Sequence, residues 1–229
     1  MSDLTELVEG YKRFRSTTYP EKQSDYRVLA EQGQSPGTMV IACCDSRVDP
    51  TIIFGAGPGS LFVVRNVANL VPPFEPQGDY HGTSAALEFA VTGLRVKRIL
   101  VLGHARCGGI RAFLESRYDG TASDLFIGKW MSIMKPARGY ALAARRKDDS
   151  EDAQRTLEKA GIGISLDNLR TFPFVQEALR AGSLSLHGAY FDIGSGVLYR
   201  YREADESFLP FDEAMSDEAT SDGRAHSEA

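Results

Sequence analysis

Two short apolar runs constrain this chain more than any other feature. Met39-Val40-Ile41-Ala42 breaks off at Cys43-Cys44-Asp45-Ser46-Arg47, and Ile99-Leu100-Val101-Leu102 breaks off at Gly103-His104-Ala105-Arg106-Cys107. Continuous apolar runs of this length read as strands of a parallel sheet covered on both faces. In open parallel sheets, ligands bind beyond the carboxyl ends of the strands. Each run therefore delivers reactive side chains where a site can form. Leu61-Phe62-Val63-Val64-Arg65-Asn66 is a third such strand. Residues 84–94 carry good helix formers and a glycine stop, and Cys107-Gly108-Gly109 opens another helix that runs to about residue 115. This alternation predicts an α/β fold, a central mostly parallel β-sheet flanked by helices.

The flanking segments fill in the domain plan. Residues 1–33 form an N-terminal helical arm, with Leu4, Leu7, Val8, Tyr11 and Phe14 at helical spacing. Pro20 is expected to interrupt it, with a second short helix over 26–32. An apolar stripe must lie on something, either its own domain or a partner subunit. Residues 34–211 form the α/β domain that carries the polar strand ends. Within it 122–180 is mainly helical, and the charged stretch 141–159 reads as a solvated face or mobile turn. Residues 183–193 form a strand, Gly194-Ser195-Gly196 turns, and the chain returns as a C-terminal antiparallel edge strand. Residues 212–229 form an acidic tail expected to be disordered.

Composition narrows the function classes. The 229 residues are 42% hydrophobic and 25% charged, with three cysteines. That suits a chain with an ordinary core and no disulfide framework. No apolar run approaches the ~20 residues that span a membrane. Net charge is −5, but residues 203–229 hold nine acids and one base. The body is close to neutral, without the basic face that nucleic acid requires. The opening MSDLTELVEG lacks the basic-then-apolar order of an export signal. The expectation is a cytoplasmic protein whose thiols stay reduced.

Cys43, His104 and Cys107 are the residues of chemical interest. Two thiolates and an imidazole suit zinc, and the H-x-x-C spacing lets one strand-to-helix turn supply two ligands. A fourth position would fall to water or Asp45. The plain alternative is two small buried thiols and a satisfied core histidine. Asp45 and Arg47, at i and i+2 of an extended segment, would point to one side and pair.

In these motifs the chain resembles the β-class carbonic anhydrases, whose signature is C-x-D-S-R followed by H-x-x-C. The likeness extends to Phe62-Val63-Val64-Arg65-Asn66-Val67-Ala68-Asn69-Leu70-Val71-Pro72-Pro73, to Ala85-Ala86-Leu87-Glu88-Phe89-Ala90-Val91, and to Ser185-Leu186-His187-Gly188. It covers about residues 4–202 and looks most like the plant-type branch.

The resemblance implies a lyase, carbonate dehydratase, that hydrates carbon dioxide reversibly to bicarbonate and a proton by attack of zinc-bound hydroxide. It implies one Zn2+ per chain on Cys43, His104 and Cys107, with Asp45 and Arg47 as the catalytic dyad. The Gly108 amide would donate to bicarbonate, and Gln34, Phe62, Val67 and Phe89 would line the substrate pocket. That pocket is built across a subunit interface, so a homodimer or an assembly of dimers is expected. Cys44 stands where Ser or Ala is usual and is read as a non-ligand, because neighbours on a strand face opposite ways. Phe89 stands where Tyr is common. A Trp-Arg-Tyr bicarbonate set is represented by Val40, Arg65 and Phe191, leaving Arg65 as a weak anion site and favouring Asp45 paired with Arg47. His81 reads as a loop surface residue and His187 as structural. Two alternatives fit the same residues: a carbon disulfide or carbonyl sulfide hydrolase, and a non-catalytic zinc-stabilised interaction protein.

Overall fold

The computed structural model describes residues 4–77, 81–115, 126–137, 139 and 150–211. The run Arg145-Arg146-Lys147-Asp148-Asp149 and the acidic tail lie outside the described residues. Two helices come first, α1 (Thr5–Ser16) and α2 (Thr18–Gln32). Pro20 does not interrupt. It sits in the first turn of α2, where its missing N–H would have no helical partner, and the break falls at Thr17 instead. Stacked and edge-on contacts among Phe14, Tyr19 and Tyr26 hold the two helices together. Neither helix has a buried residue. Phe14 is partly covered by α2, but Leu7 is 70% exposed and Tyr11 61%, so the rest of the apolar stripe of α1 stays uncovered by the described residues.

The body follows as β1 (Thr38–Cys43), α3 (Pro50–Ile53), β2 (Leu61–Asn66), α4 (Gly82–Glu88), β3 (Arg98–His104) and α5 (Gly108–Leu114). Then come α6 (Ile127–Met131), α7 (Ser150–Leu169), α8 (Pro173–Arg180), β4 (Ser185–Phe191), β5 (Leu198–Arg202) and β6 (Ser207–Pro210). The sheet order is β2-β1-β3-β4-β5-β6, parallel through β4 and antiparallel beyond it. The expected edge strand is therefore a pair. The α4 helix continues as one wider π turn over Phe89–Gly93.

This order decides where the site is. The chain leaves β1 for β2 on one side, then crosses to β3 on the other. The carboxyl ends of β1 and β3 thus flank the switch point, where a crevice opens. One sheet face packs Met39, Ile41, Ile99 and Val101 against α4, α7 and α8. Glycines at 103 and 188 let α7 lie close, since a Cβ at either would stand 2.7 Å from Ile162. The other face buries Val40, Ala42, Leu102 and Ala189 beneath Ile53, Phe54 and Phe211. Among the described residues no helix is long and apolar enough to cross a membrane.

Candidate metal centre and active site

Strand β1 ends at Cys43, whose side chain is buried, while the next residue, Cys44, faces outward and is exposed. The Cys44 N–H continues the ladder to the Asn66 carbonyl at 2.9 Å. Beyond it the backbone turns rather than staying extended, with the Val48 N–H donating to the Asp45 carbonyl. The pair of Asp45 and Arg47 is made by that turn. Arg47 donates from Nε to Oδ1 at 2.8 Å and from Nη2 to Oδ2 at 2.6 Å. These hydrogen bonds hold the Asp45 carboxyl well below the usual carboxylate range. Arg47 Nη2 also donates to the carbonyl of Arg106 at 3.0 Å, which ties this turn to the one after β3.

The second turn supplies two side chains. His104 is 1% exposed. Its Nδ1 lies 2.9 Å from the Ala105 carbonyl. A carbonyl only accepts, so Nδ1 carries a proton, and in the neutral ring Nε2 presents a lone pair. Nε2 is the one buried side-chain nitrogen or oxygen among the described residues with no hydrogen-bond partner. Arg106 then takes a left-handed φ of 57°, which brings Cys107 round to the start of α5.

The sulfurs and the imidazole converge. One ligand atom from each of Cys43, His104 and Cys107 lies within 4.8 Å of the others. Cys43 Sγ and Cys107 Sγ are 3.9 Å apart. Two zinc–sulfur bonds of about 2.3 Å meeting at a tetrahedral angle span about 3.8 Å. The donor set therefore fits a divalent zinc ion, and the orphaned His104 Nε2 has a use. Hydrogen bonding from Cys107 pulls the Cys43 thiol below its ordinary value. Asp45 Oδ2 stands 4.0 Å from His104 Nε2, so the carboxylate borders the cluster without joining it.

Arg65 is placed differently from the sequence expectation of a weak anion site. It donates from Nε to the Cys43 carbonyl at 2.9 Å, from Nη2 to the Asp45 carbonyl at 2.6 Å, and from Nη1 to Asp49 at 3.2 Å. Its donors are directed at the protein, and Val40 on the same sheet is fully buried.

The pocket residues divide. Gly108 opens α5 beside Cys107, with open space where a Cβ would be. Val67 abuts the same turn, for a Cβ on Gly109 would be 2.8 Å from it. Val67 also lines a cavity of about 760 Å³ with Asn66, Pro72, Pro73, His81 and Trp130. The other three are not brought to the cluster by their own chain. Phe62 pairs in register with Met39, four residues before Asn66 and Cys43, and packs on Phe89 at 5.9 Å. Gln34 precedes β1, whose length alone is roughly 17 Å. His81 is exposed, and His187 is bonded to Ser185 at 2.8 Å on β4.

One polar residue was invisible in the sequence. Glu158 falls in the stretch read as solvated, yet it is 4% exposed and accepts the Cys107 N–H at 2.8 Å. Burial pushes its acid up, against the hydrogen bonds that favour the carboxylate. The only available signal was its place among the apolar Ala153, Leu157 and Ile162 of one helix.

Fold and site together define an α/β protein that brings a Cys-His-Cys donor set together at the switch point of a parallel sheet. The carbonic anhydrase family model matches residues 38–198. The chain is 41% identical over 187 residues to beta carbonic anhydrase 5, chloroplastic, of Arabidopsis thaliana, covering 82% of this chain and 61% of that protein. It superposes on the β-carbonic anhydrase CcaA with a TM-score of 0.83 at 30% identity, over 92% of each chain. For one of two tetrameric β-carbonic anhydrases of Sordaria macrospora the TM-score is 0.73 at 30% identity, over 85% of this chain and 94% of that one. The chain therefore belongs to the β-class carbonic anhydrase family. It spans about three fifths of the length of the Arabidopsis relative.

Proposed function

We propose that this protein is a zinc-dependent carbonate dehydratase interconverting carbon dioxide and bicarbonate at Cys43, His104, Cys107 and Asp45. The observation that carries the reading is the unpartnered Nε2 of His104, buried beside two sulfurs at a tetrahedral spacing. Zinc held by these three residues would supply a Lewis acid that lowers the pKa of water to about 7.

The chain's own groups do the rest. Asp45 is ionised and turned toward the cluster by Arg47, so it can only accept a hydrogen bond from the reacting solvent molecule. That fixes which lone pair faces the carbon. Arg47 keeps the carboxylate off the metal ligands by holding both of its oxygens. The Gly108 amide, beside open space, would meet a bicarbonate oxygen. Val67 forms one apolar wall, and Gln34, Phe62 and Phe89 of a second copy would complete the pocket. The exposed stripe of α1 supports a dimer in which each arm lies on its partner, as does the tetrameric state of the Sordaria proteins. Three free thiols suit a reducing compartment such as the cytoplasm.

The test is stopped-flow carbon dioxide hydration with a pH indicator, on protein of measured zinc content. Turnover that tracks zinc, and that disappears in a folded, zinc-loaded Asp45→Asn variant, is the expected result. A zinc-loaded parent that hydrates no faster than buffer overturns the proposal.

A further inference from the structure

Helix α7 carries a buried acid that the chemistry above does not use. Glu158 Oε1 accepts from the Cys107 N–H at 2.8 Å and from Gln154 Nε2 at 2.7 Å. Its Oε2 accepts from the Tyr190 hydroxyl at 2.8 Å. Gln154, one turn earlier, also donates to the Cys107 carbonyl at 3.3 Å. The N–H and the C=O of one ligand residue are therefore both held by the same helix, and Tyr190 of β4 locks the carboxylate from behind.

Packing alone does not account for this arrangement. A buried carboxylate costs several kcal/mol unless it is fully hydrogen-bonded, and an apolar residue of similar volume would pack there at no such cost. Among the described residues, the backbone group the carboxylate serves belongs to Cys107. That residue also needs support: it follows Arg106 at φ 57°, a left-handed conformation unfavourable for a non-glycine residue. The Cys107 N–H precedes α5 and has no helical acceptor. Without an anchor, the turn could relax and carry the sulfur away from Cys43 and His104.

We propose that Glu158 is a positioning residue: with Gln154 and Tyr190 it clamps the Cys107 backbone so that its sulfur stays in ligating position. The proposal rests on the metal-site reading above. Hydrogen bonds that orient metal ligands are typically worth about 10–100-fold in metal affinity.

The experiment measures zinc transfer from the full-length, zinc-loaded protein to the chelator 4-(2-pyridylazo)resorcinol. Glu158→Leu and Tyr190→Phe are expected to release zinc about tenfold faster than the parent or more. Glu158→Gln retains an acceptor for the Cys107 N–H and is expected to stay within about threefold of the parent. Melting of the metal-free proteins separates positioning from general destabilisation. If Glu158→Leu does not fold, Gln154→Met, altered at a partly exposed position, is read in its place with the same expectation. Release at the parent rate from all variants overturns the clamp, as does equally fast release from the Leu and Gln variants. A parent that binds no zinc overturns instead the metal-site reading, so the two failures are distinct.

Discussion

Arg65 donates through Nη2 to the backbone carbonyl of Asp45 at 2.6 Å while Arg47 donates through Nη2 to its carboxylate at 2.6 Å, so one arginine holds the backbone of this loop and the other its side chain. The same guanidinium reaches the Cys43 carbonyl and the Asp49 carboxylate. Arg65→Lys keeps the charge but loses the planar fork. We expect it to lower stability by about 2 kcal/mol, the scale of losing charged hydrogen bonds in a partly buried site. Hydration activity should fall about tenfold or more as Asp45 loses its position. Urea unfolding and stopped-flow assays check both. An unchanged Lys variant would mean that the loop holds its own shape.

Removing the metal should cost stability as well as turnover. A ligand present at 1,000 times its dissociation constant stabilises a fold by about 4 kcal/mol. Dialysis against a chelator should therefore lower the melting temperature, and stoichiometric Zn2+ should restore it. Cys107→Ser should lose most of this metal-dependent increment. A melting temperature indifferent to zinc would contradict the ligand set.

Asp49 links stability to pH. It caps α3 by accepting from Thr51, and those hydrogen bonds, with Arg65 nearby, hold its carboxyl below the usual range. A carboxyl depressed in the folded state contributes fully above its unfolded value of about 3.9, and the contribution fades as pH falls through the folded value. Asp49→Ala should thus cost about 1 kcal/mol at pH 7 and much less near pH 2. Denaturation at the two pH values measures the difference, and a constant gap would remove the titration from the explanation.

Gly188 is a packing requirement. A Cβ there would stand 2.7 Å from Ile162 and 2.9 Å from the Tyr201 Cβ. Gly188→Ala should destabilise the fold by about 1–3 kcal/mol through overpacking. Zinc content should hold, because the ligands lie at the strand ends and not at this crossing. Calorimetry with metal analysis separates the two effects.

What could be read from the sequence was local. Strands β1, β2 and β3 are apolar runs with abrupt polar ends, and those ends carry Cys43, Asp45, His104 and Cys107. Pro20 looked like a break because its tolerance depends on which turn of the helix it occupies. Ser207–Pro210 pairs with β5 although acids surround it, so its strand character comes from the neighbour and not from its own pattern. Glu158 and Arg65 were hidden for another reason. Their roles depend on partners 51 and 20–22 residues away, which no spacing rule connects. Phe62 and Phe89 were named for the pocket by resemblance, and the single chain packs them on each other, away from the sulfurs.

The two sulfurs of the cluster sit 64 positions apart in the sequence. During synthesis Cys43 leaves the ribosome first and waits with a single donor. Neither His104 nor Cys107 can join it until β3 has been laid against β1, and the Glu158 support arrives only with α7. Capture of an ion at this cluster would thus be a late event in the birth of this molecule, for a nascent fragment cut before residue 104 holds only one of the three donors that the finished chain brings together.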